Sequence, residues 1–156
     1  MALRKLRIVG DDILHKVSKP VKNVDDKTRE LAYDMLETMY NAGGVGLAAV
    51  QVGVLKRILV MDISEENDAP IVMINPEIIH SGGEQEGREG CLSIPGKTGC
   101  VVRPAITLAR ALDSLGNEFE LKMEERLAVV FAHELDHLNG ILYTEKATDI
   151  QDLQEE

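Results

Sequence analysis

The sequence predicts an α+β fold: a single domain in which short antiparallel strands pack around a C-terminal helix, with a second helix near the N-terminus. Three observations carry this. Two segments with helical periodicity flank a middle region of strand-like runs, so the strands cluster instead of alternating with helices. The 156 residues fit one domain of ordinary size. Hydrophobic residues make up 44%, enough for a packed core. The longest unbroken apolar run, Leu127–Ala132, is far short of the roughly 18 residues that suggest a membrane span.

Taken in order, Val24–Gly44 is predicted helical. Asp25 or Asp26 caps its start, Leu31, Met35 and Met39 recur at helical spacing, and Gly43-Gly44 ends it. Arg57–Asp62 predicts a buried strand. Ile71–Ile79 predicts another, with Pro76 marking an edge or a bulge. Gly82–Gly99 has no period and is expected to be a long functional loop. Strand character resumes over Cys100–Leu112. Asp113–Asn117 predicts a turn into a strand over Asn117–Met123, where Phe119, Leu121 and Met123 alternate with charged residues. Glu124–Asn139 is predicted to be the second helix, stopped by Gly140. An acidic tail with nothing to hold it is expected from about residue 145.

Composition excludes several functions. A formal net charge of −10 repels phosphate backbones and anionic membrane surfaces, so neither nucleic acid nor membrane is an expected partner. With no Trp and five other aromatic residues, base-stacking platforms are not expected. Two cysteines, Cys91 and Cys100, are too few for a disulfide scaffold and fit reduced thiols in a cytoplasmic protein. The basic N-terminus is followed by no apolar segment, so no signal peptide is expected.

The sharpest motif is His133-Glu134-Leu135-Asp136-His137. Residues four apart share a helix face, so both imidazoles can reach one metal ion, with Glu134 placed to handle a proton. A catalytic site of this kind usually has a third protein ligand. The pattern that continues to a third His reads Tyr143 at that position. A downstream carboxylate would have to be Glu145, Glu155 or Glu156, all in the acidic tail. The third ligand is therefore expected upstream. Cys91, in Glu89-Gly90-Cys91-Leu92-Ser93, is the best candidate, since thiolates bind borderline-soft divalent metals well. Cys100 sits in a strand-like run and reads as core. A third segment, Gly44-Val45-Gly46-Leu47-Ala48-Ala49-Val50-Gln51, lacks the spacing and the Lys-Ser/Thr ending of a phosphate loop. Taken alone, it is equally well a turn leading into a buried strand.

Together the three segments resemble the peptide deformylase family, whose signatures Gly-x-Gly-Leu-Ala-Ala-x-Gln, Glu-Gly-Cys-Leu-Ser and His-Glu-x-Asp-His stand complete and in order at 44–51, 89–93 and 133–137. The resemblance runs from about Leu6 to about Glu145. It implies a metal held by Cys91, His133 and His137: ferrous iron, with zinc, nickel or cobalt able to substitute, where spacing alone suggests zinc. It implies hydrolysis of the formyl group from the N-formylmethionyl end of nascent polypeptides, with Glu134 moving the proton and the Gln51 side chain and Leu92 N–H facing the formyl oxygen. Val45, Val129, Val130 and His133 match the methionine pocket. Gly44, Gly46 and Gly90 permit close approach of a peptide backbone, which can add as a short strand.

Arg126, Ala132 and Lys97-Thr98 depart from common family residues and bear on side-chain selectivity. A monomer with at most transient ribosome contact is expected. Some members dock through a basic C-terminal helix, whereas Tyr143–Glu156 carries five acids and one Lys. Two rivals remain in view: a metallopeptidase using the same helix, which needs a downstream ligand, and an inactive binding homologue, against which the intact Glu134, Cys91 and Gln51 argue.

Overall fold

The computed structural model describes residues 2–153. Helix α1 spans Asp26–Asn41 and helix α2 spans Glu125–Leu138. Eight strands form two antiparallel sheets: β1 (Gly46–Ala48), β2 (Ile58–Met61), β3 (Ile71–Gly82), β6 (Ile106–Leu112) and β7 (Glu118–Glu124) in one, and β4 (Gln85–Cys91), β5 (Ile94–Arg103) and β8 (Thr148–Asp152) in the other. This is the α+β arrangement that clustered strands predict.

The five-stranded sheet is covered on both faces at its β1–β2 end. Strand side chains alternate between faces. Ile58 and Val60 therefore join α1 residues Leu31, Met35 and Met39 in one core cluster. Leu59 and Met61 join α2 residues Ala128, Val130 and Phe131 in another. All four β2 residues are buried, which is why Ile58–Met61 reads as an unbroken apolar run inside Arg57–Asp62. Each fully buried side chain of this size contributes roughly 1.5–3 kcal/mol.

Helix α1 begins where Asp25 accepts a bond from the Thr28 N–H at 2.9 Å. It ends before Gly43, whose φ of 72° is left-handed. Helix α2 ends before Gly140, where an added Cβ would sit 2.6 Å from the His15 carbonyl. The turn over residues 113–117 forms as expected, with the Asp113 carboxylate accepting from the N–H groups of Leu115 and Asn117. At Asn75-Pro76 the β3–β6 register shifts. Pro76 thus marks a bulge inside the sheet and not an edge, and the Asn75 amide is used instead to tie down Val21.

Two expectations are corrected. Gly82–Gly99 is not a loop: it holds β4 and the first half of β5, paired from Gln85↔Arg103 to Glu89↔Gly99. Most of β4 is solvent-exposed, so no apolar alternation betrays it. The segment after residue 145 is not loose either. Its strand β8 pairs with β5 through Lys97↔Asp152 and Thr98↔Gln151. Pairing to an edge needs backbone, not apolar side chains, so an acidic sequence conceals it. Glu155 and Glu156 lie outside the described residues. Among those described, no helix is long and apolar enough to cross a membrane.

Candidate active site

Helix α2 and the end of β4 converge on one point. His133 and His137 lie one turn apart, their ring centroids separated by 5.0 Å. The half-buried Cys91 reaches them from the sheet, its Sγ 3.3 Å from His137 Nε2. One donor atom from each of Cys91, His133 and His137 lies within 4.8 Å of the other two. A tetrahedral ion with bonds of 2.0–2.3 Å sets its ligands roughly 3.3–3.8 Å apart, so this donor set fits a single divalent ion.

The surrounding hydrogen bonds support the fit. His133 Nδ1 lies 3.0 Å from Glu89 Oε1. With one proton held there, displacement of the second ring proton by an incoming ion leaves Nε2 as a lone-pair donor on the side of the cluster. Glu89 is itself fixed: Arg103 donates to both its oxygens, from Nε at 2.9 Å and Nη2 at 2.8 Å. The third guanidinium nitrogen donates to Asp136 on α2 at 2.6 Å, and Lys146 reaches Asp136 as well. Tyr143 stacks on the His133 ring at 5.8 Å. His137 Nδ1, Glu134 Oε1 and Tyr143 OH are buried with no hydrogen-bond partner among the described residues.

The electrostatics separate the titrating groups. Burial alone would raise the Glu89 pKa, but the Arg103 hydrogen bonds and His133 bring it down to about 2. Burial, helped by the Glu89 charge, pushes Glu134 up to about 7 against the opposing pull of His133 and Arg103. Burial disfavours a charged His133, yet Glu134, Cys91 and Glu89 together hold it at about 10. Burial and the neighbouring His133 and Arg103 cations lower His137 to about 3. Glu89 thus stays ionised between Arg103 and His133, whereas Glu134 is poised to take or give a proton near neutral pH.

A cavity of about 530 Å³ opens beside this cluster. It is lined by Gly44, Val45, Gly46 and Gln51 on one side, Gly90, Cys91 and Leu92 on another, and Val129, Val130, His133 and Glu134 of α2. Every residue predicted for substrate or oxyanion contact is therefore at its wall. Gly46 lies so near α2 that an added Cβ would sit 2.5 Å from Glu134 Oε2. Gln51 is oriented from both ends: Oε1 accepts from Ala48 N–H at 2.9 Å, and Nε2 donates to Ser93 Oγ at 3.0 Å with Cys91 Sγ 3.6 Å away.

Cys100 stands apart from the cluster, its sulfur 3.2 Å from Arg88 Nη1. Glu145 is committed elsewhere, accepting from the Leu142 N–H at 2.6 Å. Neither it nor Tyr143 supplies the downstream ligand that a metallopeptidase reading needs. Sequence reasoning missed the roles of Glu89, Arg103, Asp136, Ser93 and Tyr143. Glu89, Ser93 and Asp136 stand inside the quoted motifs, where their presence was the signal. Arg103 offered none.

A family model described as "Polypeptide deformylase" matches residues 3–153. A peptide deformylase of Lachnoclostridium phytofermentans is 57% identical over 146 residues, covering 94% of this chain and 90% of that protein. One from Agathobacter rectalis is 58% identical with the same coverage. Among solved structures, a Legionella pneumophila peptide deformylase superposes with a TM-score of 0.91 at 44% identity, over 95% of this chain and 88% of that one. An Ehrlichia chaffeensis peptide deformylase in complex with actinonin gives 0.91 at 40% identity, over 96% and 91%.

Proposed function

The chain belongs to the peptide deformylase family, a metal-dependent hydrolase acting on the formyl group of nascent formyl-Met peptides, and we propose the roles of its residues in that reaction. Cys91, His133 and His137 hold the ion, which in the cell is ferrous iron; zinc, nickel and cobalt suit the same donors. The observation that carries this is the meeting of those three donors within 4.8 Å, beside Glu134 and a cavity of about 530 Å³. When bound, such an ion supplies Lewis acidity, bringing the pKa of a water toward 7 and polarising a carbonyl.

The remaining work belongs to the chain. Glu134, buried against Gly46, takes the proton of the attacking water and delivers it to the departing α-amine. Gln51 Nε2 and the Leu92 N–H donate to the formyl oxygen as charge builds on it; Gln51 is held ready by Ala48 and Ser93. Val45, Val129 and Val130 enclose the methionine side chain and exclude water from the reacting end. The backbones of Gly44–Gly46 and Gly90 lie at the cavity wall where an extended peptide can add as a strand. The chain acts as one catalytic domain and as a monomer, since one chain supplies every group named, and it works in the cytoplasm. Any ribosome contact is transient and does not use a basic helix. The test is formate release from formyl-Met-Ala-Ser by anaerobically purified protein, with metal analysis of the same sample. Metal-loaded protein that releases no formate overturns the reading.

A further inference from the structure

Three cations line the cavity: Arg88, Lys97 and Arg126. Two are answered by β8. Arg88 donates to the Asp149 carboxylate at 3.0 Å and to the Asp149 carbonyl at 2.8 Å. Lys97 lies 2.9 Å from the Asp152 carboxylate. Arg126 forms no ion pair with any described residue. It is exposed and stands in the first turn of α2, a helix end with no side-chain cap. The helix dipole disfavours a cation there, so helix stability does not account for this arginine.

Its place relative to the site does. Arg126, Val129, Val130 and His133 follow i, i+3, i+4, i+7 spacing, and all four line the cavity. The arginine thus ends an apolar wall whose inner end is the metal centre. Seven residues of helix separate it from His133 by roughly 10 Å along the axis. An extended peptide advances roughly 3.3 Å per residue. A substrate that adds as a strand along α2, with its formyl group at the centre and its methionine against Val129 and Val130, therefore brings its third residue level with Arg126 on the same face.

We propose that Arg126 is a specificity-determining residue that pairs with an acidic side chain at the third position of the formylated peptide. This rests on the deformylase reading. The chain carries a formal charge of −10, which by itself draws basic peptides. Arg126 is a local exception, so its effect is separable from that field by substitution.

The experiment compares kcat/KM for the amidated peptides formyl-Met-Ala-Asp, formyl-Met-Ala-Ala and formyl-Met-Ala-Lys. Each variant's rate on the Ala peptide serves as its own reference. Exposed charge pairs are modest, so the Asp-to-Ala ratio falls about three- to fivefold in Arg126→Leu. It is retained in Arg126→Lys and falls further in Arg126→Glu. The change lies in KM, as for binding felt equally in ground and transition states. At about 1 M salt, where the Debye length is ~3 Å, the wild-type ratio drops to that of the Leu variant. Equal ratios in wild type, Arg126→Leu and Arg126→Glu overturn the proposal, as does a ratio indifferent to salt. Wild-type activity on the Ala peptide separates the two readings: activity with unchanged ratios defeats only this inference, and no formate release defeats both.

Discussion

Replacing Arg103 with Met removes a guanidinium while keeping a stem of similar length in a site where the side chain is only 3% exposed. Three hydrogen bonds are lost, two to Glu89 and one to Asp136. The partners are unequally affected. Asp136 keeps Lys146 at 3.0 Å, but Glu89 is buried and retains only His133. Removing one member of a buried pair costs about 3–5 kcal/mol, because the stranded charge has neither water nor a partner. For a chain of this size each kcal/mol moves Tm by roughly 2–4 °C, so a drop of roughly 6–20 °C follows. The metal centre is also affected, since Glu89 no longer holds His133 firmly; loss of such outer contacts typically weakens metal affinity about 10–100-fold. Thermal and urea unfolding of the metal-free protein read the first effect, and competition with a chelator reads the second. Adding Glu89→Gln to the variant recovers much of the stability, because the penalty comes from the stranded carboxylate. A loss below about 1 kcal/mol for the single variant, or a double variant less stable than the single, refutes this reasoning.

Four further outcomes are expected. Glu134→Gln retains its metal and loses about 10²–10⁴-fold in formate release, the usual worth of a positioned acid–base group; near-normal turnover by the loaded variant contradicts it. Cys91→Ala loses tight metal binding, whereas Cys100→Ala keeps metal and activity at a packing cost of roughly 1 kcal/mol; metal-to-protein ratios decide. Iron-loaded enzyme loses activity in air, through oxidation of the ion or of Cys91, and nickel-loaded enzyme endures; full activity after prolonged aeration without reductant or catalase tells against this. Asp62 supplies a pH dependence. Burial raises its pKa, but bonds from Ser64, Tyr40 and Ala69 outweigh that and hold it below the ordinary 3.8. Ionised Asp62 therefore stabilises the fold above that value, and the contribution is lost as pH falls through the depressed one. The stability gap between wild type and Asp62→Asn, read from urea midpoints, accordingly narrows with acidification below about pH 4.

What the sequence disclosed followed from periodicity and from local motifs. Both helices were legible because each buries one stripe. Strand β2 was legible because two helices cover it, so both its faces are apolar. The proposed metal donors, Glu134 and Gln51 stand in short segments whose residue types fit the chemistry proposed for them. Strands β4 and β8 were hidden for one physical reason: they are held by backbone pairing and by ion pairs such as Arg88–Asp149, and expose much of their surface. Arg103 was hidden for another. Its partners Glu89 and Asp136 lie 14 and 33 residues away in sequence, and nothing local tells a buried arginine from a solvated one.

At Gly46, a Cβ would meet the Glu134 carboxylate at 2.5 Å and Val130 at 2.8 Å. Any residue other than glycine thus forces Val130 or the Glu134 carboxylate, the proposed proton carrier, to shift. For a cell under selection by an inhibitor, that closes a route of escape. Contacts to Val129 or Arg126 can be exchanged by single substitutions that leave the reacting groups in place. A ligand that draws its affinity from the main chain of Gly46 and from the proposed metal donors rests on atoms that a substitution at Gly46 cannot exchange without that clash. Resistance to such a ligand must then arise elsewhere, by higher expression, by export or by dispensing with the reaction.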